Sequence, residues 1–178
     1  MTSKDEELWV LRAQTGDRPA IEHLLRSVQP SLTRYVRSIV GAAGADDVTQ
    51  EVMISIYRKL WWLSSASLFR PWMFRIASRA AFRHLKRERR WPPQMRDDEA
   101  LESVQSPEAP SAAVIGQLLE DERLTPACRA VLSLHFQEGM TLVEVAAVLD
   151  LPVGTAKSRL SYGLTTLRRH YDKEGNPK

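Results

Sequence analysis

Arginine side chains recur every four residues between positions 75 and 87, with few acids among them. Arg75, Arg79, Arg83 and Arg87 fall on one face of a predicted helix, and residues 70–90 carry eight basic side chains and one acidic side chain. Like charges at this spacing destabilise an isolated helix by about 0.2–0.5 kcal/mol per pair. Because a merely solvated face would intersperse acids, the row favours a polyanionic partner over that alternative.

A second group of polar side chains lies near the C-terminus and suits contact with phosphates and base edges. Its members share one face of a predicted helix: Thr155, Lys157, Ser158, Ser161 and Tyr162, with Arg159 beside them. Short hydroxyl side chains and a lysine offer nucleic acid both donors and acceptors. The alternative of an ordinary helical hairpin with a solvated outer face stays open on this pattern alone.

Two helices separated by a tight break position this second group. Thr141 and Glu144 fit a capping box that begins the first helix, and the break at 150–152 ends it because a residue before proline disfavours helical dihedrals. The predicted core face of the first helix comprises Val143, Ala146, Ala147 and Leu149. That of the second comprises Ala156, Leu160, Leu164, Leu167 and Tyr171. This layout predicts a helix-turn-helix.

The arginine-bearing helix follows three predicted helices. The first begins at a capping box of Ser3 and Glu6, the second follows a cap at Asp17, and Pro30 kinks or divides that second helix. The third starts at Asp46 and Asp47, whose carboxylates suit its positive end. Since neighbouring tryptophans cannot both face one core, we expect at least one of the pair at positions 61 and 62 to be exposed.

The distribution of charge and proline divides the chain. Residues 1–96 hold 17 basic and 9 acidic side chains, whereas residues 97–124 hold 1 basic and 8 acidic side chains. The acidic stretch is also rich in proline, which is typical of a linker. We therefore predict an all-α fold of two small domains, 1–91 and 112–178, joined by a flexible linker at 92–111, with the helix-turn-helix in the second domain.

Several classes of function are disfavoured by the sequence. No run of 18 apolar residues exists, so we expect no membrane insertion. The single cysteine, Cys128, fits a reducing cytoplasm and a buried structural role. The four histidines are scattered, without metal-ligand spacing or a nucleophile motif, so we expect no cofactor, no metal and no enzyme such as a nuclease.

Three motifs, in order, resemble the extracytoplasmic-function class of bacterial sigma factors, the promoter-specificity subunits of RNA polymerase. Residues 46–52, DDVTQEV, are similar to the acidic core-binding motif of that class. Residues 69–77, FRPWMFRIA, are similar to its promoter-opening segment, and residues 152–160, PVGTAKSRL, to its recognition-helix signature. The chain departs from the family pattern at three positions. Arg79 stands where the family often has Asn, Asp150 stands where it usually has Gly, and Pro71 is unusual in its motif.

The resemblance implies a role for each motif. Core RNA polymerase would be bound by Asp46, Asp47, Gln50 and Glu51. The minus-ten element of promoter DNA would be held open and contacted by Trp61, Trp62, Arg70, Trp72, Arg75, Arg79, Arg83, Lys86 and Arg87. The minus-thirty-five element would be contacted by Thr155, Lys157, Ser158, Arg159, Ser161 and Tyr162. The resemblance also implies a cytoplasmic bacterial protein, commonly under the control of an anti-sigma factor.

Two non-enzymatic alternatives remain beside this interpretation. A stand-alone helix-turn-helix regulator would bind its operator without polymerase, but it would not need the acidic motif, the tryptophans or the long basic helix. A sigma-like signalling adaptor would bind an anti-sigma factor and would give no transcription with core polymerase.

Overall fold

The protein is all-α, as predicted. A computed structural model describes residues 3–88, 119 and 123–174, and no strand occurs among them. The chain divides into two compact units, Met1–Arg90 and Trp91–Lys178, and the linker predicted at 92–111 lies outside the described residues. The helices are α1 (Ser3–Gln14), α2 (Arg18–Val40), α3 (Ala42–Lys59), α4 (Phe69–Arg87), α5 (Pro126–Leu132), α6 (Leu142–Leu149) and α7 (Val153–Glu174).

Helix α2 runs through the centre of the first unit without interruption. Asp17 caps it by accepting a 3.1 Å hydrogen bond from the backbone N–H of Ala20, as predicted. The sequence predicts that Pro30 kinks or divides this helix. The helix is not divided, because α2 continues from Arg18 to Val40. Pro30 is exposed, so water can reach the carbonyl that it leaves unpaired, while Val28 and Leu32 on either side are fully buried.

Helix α4 packs against α2 and α3 through its apolar side. The Tyr35 ring meets Phe74 edge-on at 5.1 Å between centroids, and its hydroxyl lies 2.6 Å from the Ser78 hydroxyl, so a buried polar group is satisfied. Against α3, the His84 ring covers Gly44 so closely that an added Cβ would lie 2.5 Å from Nε2. These contacts fix which side of α4 faces outward.

The second unit contains the predicted helix-turn-helix. Thr141 and Glu144 form the capping box: the Thr141 N–H donates to the Glu144 carboxylate at 2.8 Å, and the Glu144 N–H donates to Thr141 Oγ1 at 3.3 Å. The bond from the Thr141 N–H, and after it a 2.8 Å bond from the Thr141 hydroxyl to the same carboxylate, lower the pKa of Glu144. Helix α6 then ends at Asp150, which adopts the left-handed conformation with φ 58° and ψ 52°. An aspartate tolerates this region better than most non-glycine residues.

The core face predicted for α6 is wrong, because the buried face of the helix lies part of a turn away from it. Val145, Ala146 and Val148 are buried, whereas Val143 is 65% exposed and Ala147 is also exposed. The core face of α7 is as predicted at Ala156 and Leu167, which are buried, and at Leu160 and Leu164, which pack on the core partly buried. The side chain of Tyr171 lies outside the described residues.

Helices α5 and α7 pack closely in this unit. Thr125 caps α5 by accepting a 3.2 Å bond from the N–H of Cys128, and Pro126 follows in the first turn, where no N–H is needed. A Cβ on Gly163 of α7 would lie 2.8 Å from Cδ1 of Leu132, so only glycine permits this approach without a shift. Beyond α5 the chain makes a π-helical turn, Ser133–Gln137, that the sequence did not predict.

Candidate nucleic-acid interface

The charged side chains and the glutamine of the acidic motif of α3 are on the surface. Asp46, Asp47, Gln50 and Glu51 are all exposed, while Val48 and Val52 between them are buried. Helix α3 begins at Ala42, however, so the prediction that the two aspartates start it is wrong. They lie one turn inside the helix because the first turn is built from small residues that pack closely against α4 at Gly44.

Apolar side chains extend this acidic surface along α3. Ile54 and Tyr57 are exposed, at four and seven residues after Gln50, so they continue the same side of the helix. The heptad spacing of Asp47, Gln50, Ile54 and Tyr57 was visible in the sequence but was not singled out. Together they form a surface that is polar at one end and apolar at the other, a composition typical of a protein interface.

The arginine row of α4 points outward. Arg75, Arg79, Arg83 and Arg87 are exposed, as is Lys86. The buried side of the helix is apolar or small and includes Phe69, Met73, Phe74, Ala77, Ala80, Ala81 and Leu85. A dense cationic face over an apolar core matches the phosphate backbone of nucleic acid electrostatically.

Arg70 and Arg83, both assigned to this surface, have carboxylate partners within the unit. Arg70 Nε lies 3.0 Å from each carboxylate oxygen of Glu6, which is only 7% exposed. Arg83 pairs with Glu51 of α3 at the surface. The bond to Arg70 also replaces the capping role predicted for Glu6, since α1 begins at Ser3 itself. Arg70 therefore helps to fix the start of α4, and its contact with the minus-ten element stays a prediction.

The tryptophan loop (residues 60–68) connects α3 to α4 and presents aromatic rings to solvent. Trp62 is 81% exposed and Trp61 is 43% exposed, so the prediction of at least one exposed ring is confirmed for both. Trp72, in the first turn of α4, is half-buried, with its ring 6.1 Å from that of Phe69. Exposing a large indole costs hydrophobic free energy, which a stacking partner would recover.

The polar face of α7 is narrower than predicted. Lys157 is exposed, while Thr155, Ser158, Arg159 and Ser161 are half-buried. Tyr162 packs against the apolar cluster of Leu119, Leu124, Cys128, Leu132 and Leu167. Its ring therefore belongs to the core margin, which follows from its position on the side of α7 that turns toward α5.

Arg159 is half-buried on α7, and its charge reaches the core at Cys128. Burial raises the pKa of the Cys128 thiol, and the Thr125 hydroxyl and the charge of Arg159 offset part of this rise. Cys128 is thus an inert core residue, as predicted. Arg168, which was not predicted, is exposed eleven residues after Lys157 and so continues its side of α7. The sequence contained a signal for it, because Ser161 follows Lys157 by four residues and Arg168 follows Ser161 by seven.

No group of three or more His, Cys, Asp or Glu side chains among residues 3–88, 119 and 123–174 is arranged to bind a metal ion. Within the same part of the chain, no helix combines the length and apolar character needed to cross a bilayer.

The sequence matches two family models. The model "Sigma-70 region 2" matches residues 24–91, which include the acidic motif, the tryptophan loop and the arginine row. The model "Sigma-70, region 4" matches residues 122–169, which include the helix-turn-helix.

Known proteins are similar over nearly the whole chain. The RNA polymerase sigma-H factor of Pseudomonas aeruginosa is 33% identical, with 90% of each chain covered. The ECF RNA polymerase sigma-E factor of Escherichia coli K12 is 29% identical, with 87% of this chain and 88% of the other covered. A solved structure of CnrH, in complex with the cytosolic domain of CnrY, has the same fold, with a TM-score of 0.67, 22% identity and coverage of 94% of this chain and 97% of that chain.

Proposed function

Because the chain belongs to the extracytoplasmic-function class of sigma factors, a promoter-specificity factor in transcription initiation, we propose how its surfaces divide that work. In our proposal α3 binds core RNA polymerase, the tryptophan loop and α4 open and hold the minus-ten element, and α7 reads the minus-thirty-five element. One observation carries it. The acidic face of α3 and the basic face of α4 are both exposed within one unit, where the α3–α4 packing fixes their relative positions.

The polymerase contact combines charge with apolar area. Asp46, Asp47 and Gln50 would select a basic partner surface by charge complementarity, which also speeds the encounter. Ile54 and Tyr57 would supply the apolar area that gives the complex its lifetime.

Promoter opening is assigned to the loop and the helix that follows it. Trp62, with Trp61 beside it, would stack on an unpaired base of the non-template strand, which is worth about 1–3 kcal/mol per base. Arg75, Arg79, Lys86 and Arg87 would neutralise phosphates of the same strand. Arg83 would join them when its bond to Glu51 opens.

Upstream recognition is assigned to the outer face of α7. Lys157 is the main candidate for a base edge in the major groove, with Ser158 and Ser161 as shorter donors and acceptors beside it. Thr155, near the start of the helix, and Arg159 at its side would contact the phosphate backbone. The partner proteins in this proposal are core polymerase and an anti-sigma factor, in the bacterial cytoplasm, and no chemical reaction is catalysed by the chain.

Charge reversal at α3 tests the polymerase contact. Asp47→Lys places a cation against a basic partner, and like charges across an interface cost several kcal/mol, so we expect core affinity to fall at least about a hundredfold. Glu22→Lys, an exposed acid on α2, is the matched control and should leave the affinity unchanged. Titration of labelled full-length chain with purified core polymerase measures both variants. Equal affinities for the two variants would contradict the assignment of α3.

A gel shift with full-length chain distinguishes the remaining alternatives. A sigma factor gives specific promoter binding and transcription only with core polymerase. Specific operator binding by the chain alone would favour a stand-alone regulator. Core binding without transcription would favour an adaptor.

A further inference from the structure

Helix α1 is bonded to the tryptophan loop at a point where that loop leaves α3. The side-chain amide of Gln14 donates to the carbonyl oxygen of Leu60 at 3.0 Å and to that of Leu63 at 2.8 Å. These two carbonyls flank Trp61 and Trp62 directly. The Leu60 carbonyl also accepts from the Leu63 N–H at 3.2 Å, so the Gln14 amide bonds both ends of a backbone turn that encloses the two tryptophans.

A second bond ties α1 to the other end of the same segment. Glu6, 7% exposed, accepts from Arg70 Nε at 3.0 Å through both carboxylate oxygens, and Arg70 lies in the first turn of α4. A charge-assisted bond with a nearly buried carboxylate is stronger than an exposed ion pair. The two bonds reach 46 to 64 residues along the chain, so the segment from Leu60 to Arg70 is bonded at both ends to one helix.

Between these two bonds the loop also contacts α1 through both of its short 3₁₀ turns, Leu60–Trp62 and Ala66–Leu68. Leu63 is buried, but Trp62 is 81% exposed, and the exposed hydroxyls of Ser65 and Ser67 lie 2.8 Å apart. An exposed ring on an unsupported loop would lose conformational entropy on stacking with a base. A ring on a backbone that is already ordered loses less, so it binds more tightly.

We propose that Gln14 and Glu6 are positioning residues for promoter opening, acting through the tryptophan loop. This inference rests on the proposed capture of a base by Trp62. Neither residue touches DNA in the proposal: Gln14 orders the backbone on both sides of the tryptophan pair, and Glu6 orders the start of the basic helix.

The choice of glutamine follows from its chemistry. The NH₂ group of Gln14 has two N–H donors and bonds two carbonyl oxygens. A carboxylate of the same shape has no donor, and its negative charge repels the carbonyl oxygens. Gln14→Glu therefore removes the bonds with little change of volume, and Gln14→Leu removes them without adding charge. Gln29, an exposed glutamine on α2, provides the matched control in Gln29→Leu and Gln29→Glu.

The experiment compares these variants as holoenzyme, each bound to core polymerase. The DNA is a promoter from which the wild-type chain and core polymerase give transcripts. Fluorescence of 2-aminopurine in the non-template strand of the minus-ten element reports the extruded base, and titration with core reports polymerase binding. We expect both Gln14 variants to lower the open-complex equilibrium constant about five- to tenfold, with core affinity unchanged and the Gln29 controls at wild-type values. Loss of the preorganisation of one stacked side chain corresponds to roughly 1 kcal/mol.

A double-mutant cycle with Trp62→Ala separates positioning from general stability. If Gln14 acts through Trp62, Gln14→Leu should have almost no further effect in the Trp62→Ala background. The same loss in both backgrounds, or a parallel loss of core affinity, would overturn the inference. A strong effect of Trp62→Ala together with wild-type opening by both Gln14 variants would reject the inference alone. A Trp62→Ala variant with wild-type opening would reject the proposed base capture and this inference with it.

A second arm covers the case in which the Gln14 variants do not fold. Glu6→Gln retains the side-chain shape and weakens the bond to Arg70, and it should lower opening about twofold to fivefold with core affinity unchanged. Wild-type opening by a folded Glu6→Gln variant would overturn the role of the Arg70 bond.

Discussion

The two proposed DNA-binding surfaces differ in charge and in burial. Helix α4 presents five exposed cations, namely Arg75, Arg79, Arg83, Lys86 and Arg87, whereas α7 presents Lys157 among half-buried hydroxyl side chains. A dense row of cations follows the phosphate backbone and carries little sequence information, while short polar groups contact base edges. We therefore expect salt dependence to reside mainly in the first unit and sequence dependence mainly in the second.

Within the comparison of the two DNA-binding surfaces, the largest expected effect is on the salt dependence of binding. Replacing Arg75 and Arg79 by Gln removes two phosphate contacts, and each contributes roughly 0.7–0.9 to the slope of log affinity against log salt. At 0.1 M salt, holoenzyme affinity for promoter DNA should fall roughly 25- to 60-fold, with the difference disappearing toward 1 M. Filter binding across a salt series measures it. Arg18→Gln with Arg26→Gln, exposed on α2, is the control, and an unchanged slope in the α4 variant would remove the contrast between the two surfaces.

Lys157→Ala should act on sequence preference instead. Loss of one base contact costs about 1–3 kcal/mol at one base pair, so the penalty for changing that base pair should vanish in the variant. Transcription from a set of single-base variants of the upstream element measures the penalty. Arg169→Ala, an exposed arginine on the same helix, should affect all sequences nearly alike. If Lys157→Ala reduced transcription equally from all sequence variants, Lys157 would contact the DNA backbone and not a base.

The helix-turn-helix depends on its capping box. Thr141→Ala removes the side-chain acceptor at the start of α6 and should destabilise the second unit by about 0.5–2 kcal/mol. Val143→Ala, in the first turn of the same helix, should be close to neutral because Val143 is 65% exposed. Thermal unfolding followed by circular dichroism compares the two. If Val143→Ala destabilised the second unit more than Thr141→Ala, Val143 would belong to the core face, as the sequence predicted.

The same box makes a small contribution that depends on pH. The pKa of Glu144 lies below its ordinary value of 4.5, first because of the backbone bond from Thr141. A depressed folded-state pKa means that the contribution is complete above about pH 4.5 and is lost as pH falls through the folded-state pKa. The stability difference between wild type and Glu144→Gln should therefore shrink on acidification. A difference that stays constant between pH 7 and pH 3 would contradict the role of the carboxylate.

The smallest expected effect connects the polymerase-binding face to the basic row. Glu51 holds Arg83 by an exposed ion pair, and such pairs are worth about 0–1 kcal/mol. Glu51→Gln should raise the non-specific DNA affinity of the isolated chain by no more than about fivefold, and the rise should be absent in an Arg83→Gln background. Fluorescence anisotropy with a labelled duplex tests it. A rise that persists without Arg83 would mean that Glu51 acts only through overall charge.

How far the sequence could predict this structure depended on the length of each periodic pattern. Helix α4 is long, and its arginines and apolar residues repeat over several turns, so its outer face could be predicted. Helix α6 has eight residues and an almost wholly apolar sequence, so its period does not identify the core face, and Val143 was assigned wrongly. The aspartates of α3 were placed at its start because the small residues before them look like a loop.

The contacts that order the tryptophan loop had no signal in the sequence. Gln14 bonds carbonyls 46 and 49 residues away, and Glu6 bonds an arginine 64 residues away. A capping box was the obvious local use of Glu6, but the tertiary bond to Arg70 prevailed. Local rules fail where a polar side chain can satisfy a distant backbone group or charge.

Run-off transcription with purified core polymerase and full-length chain, on a pool of genomic promoters, tests the central claim most directly. The account predicts core-dependent transcripts from promoters that share an upstream and a minus-ten element. It also predicts that Trp62→Ala reduces opening at all of these promoters, while Lys157→Ala changes which promoters are chosen. Absence of transcripts, although the chain binds core polymerase, would contradict it.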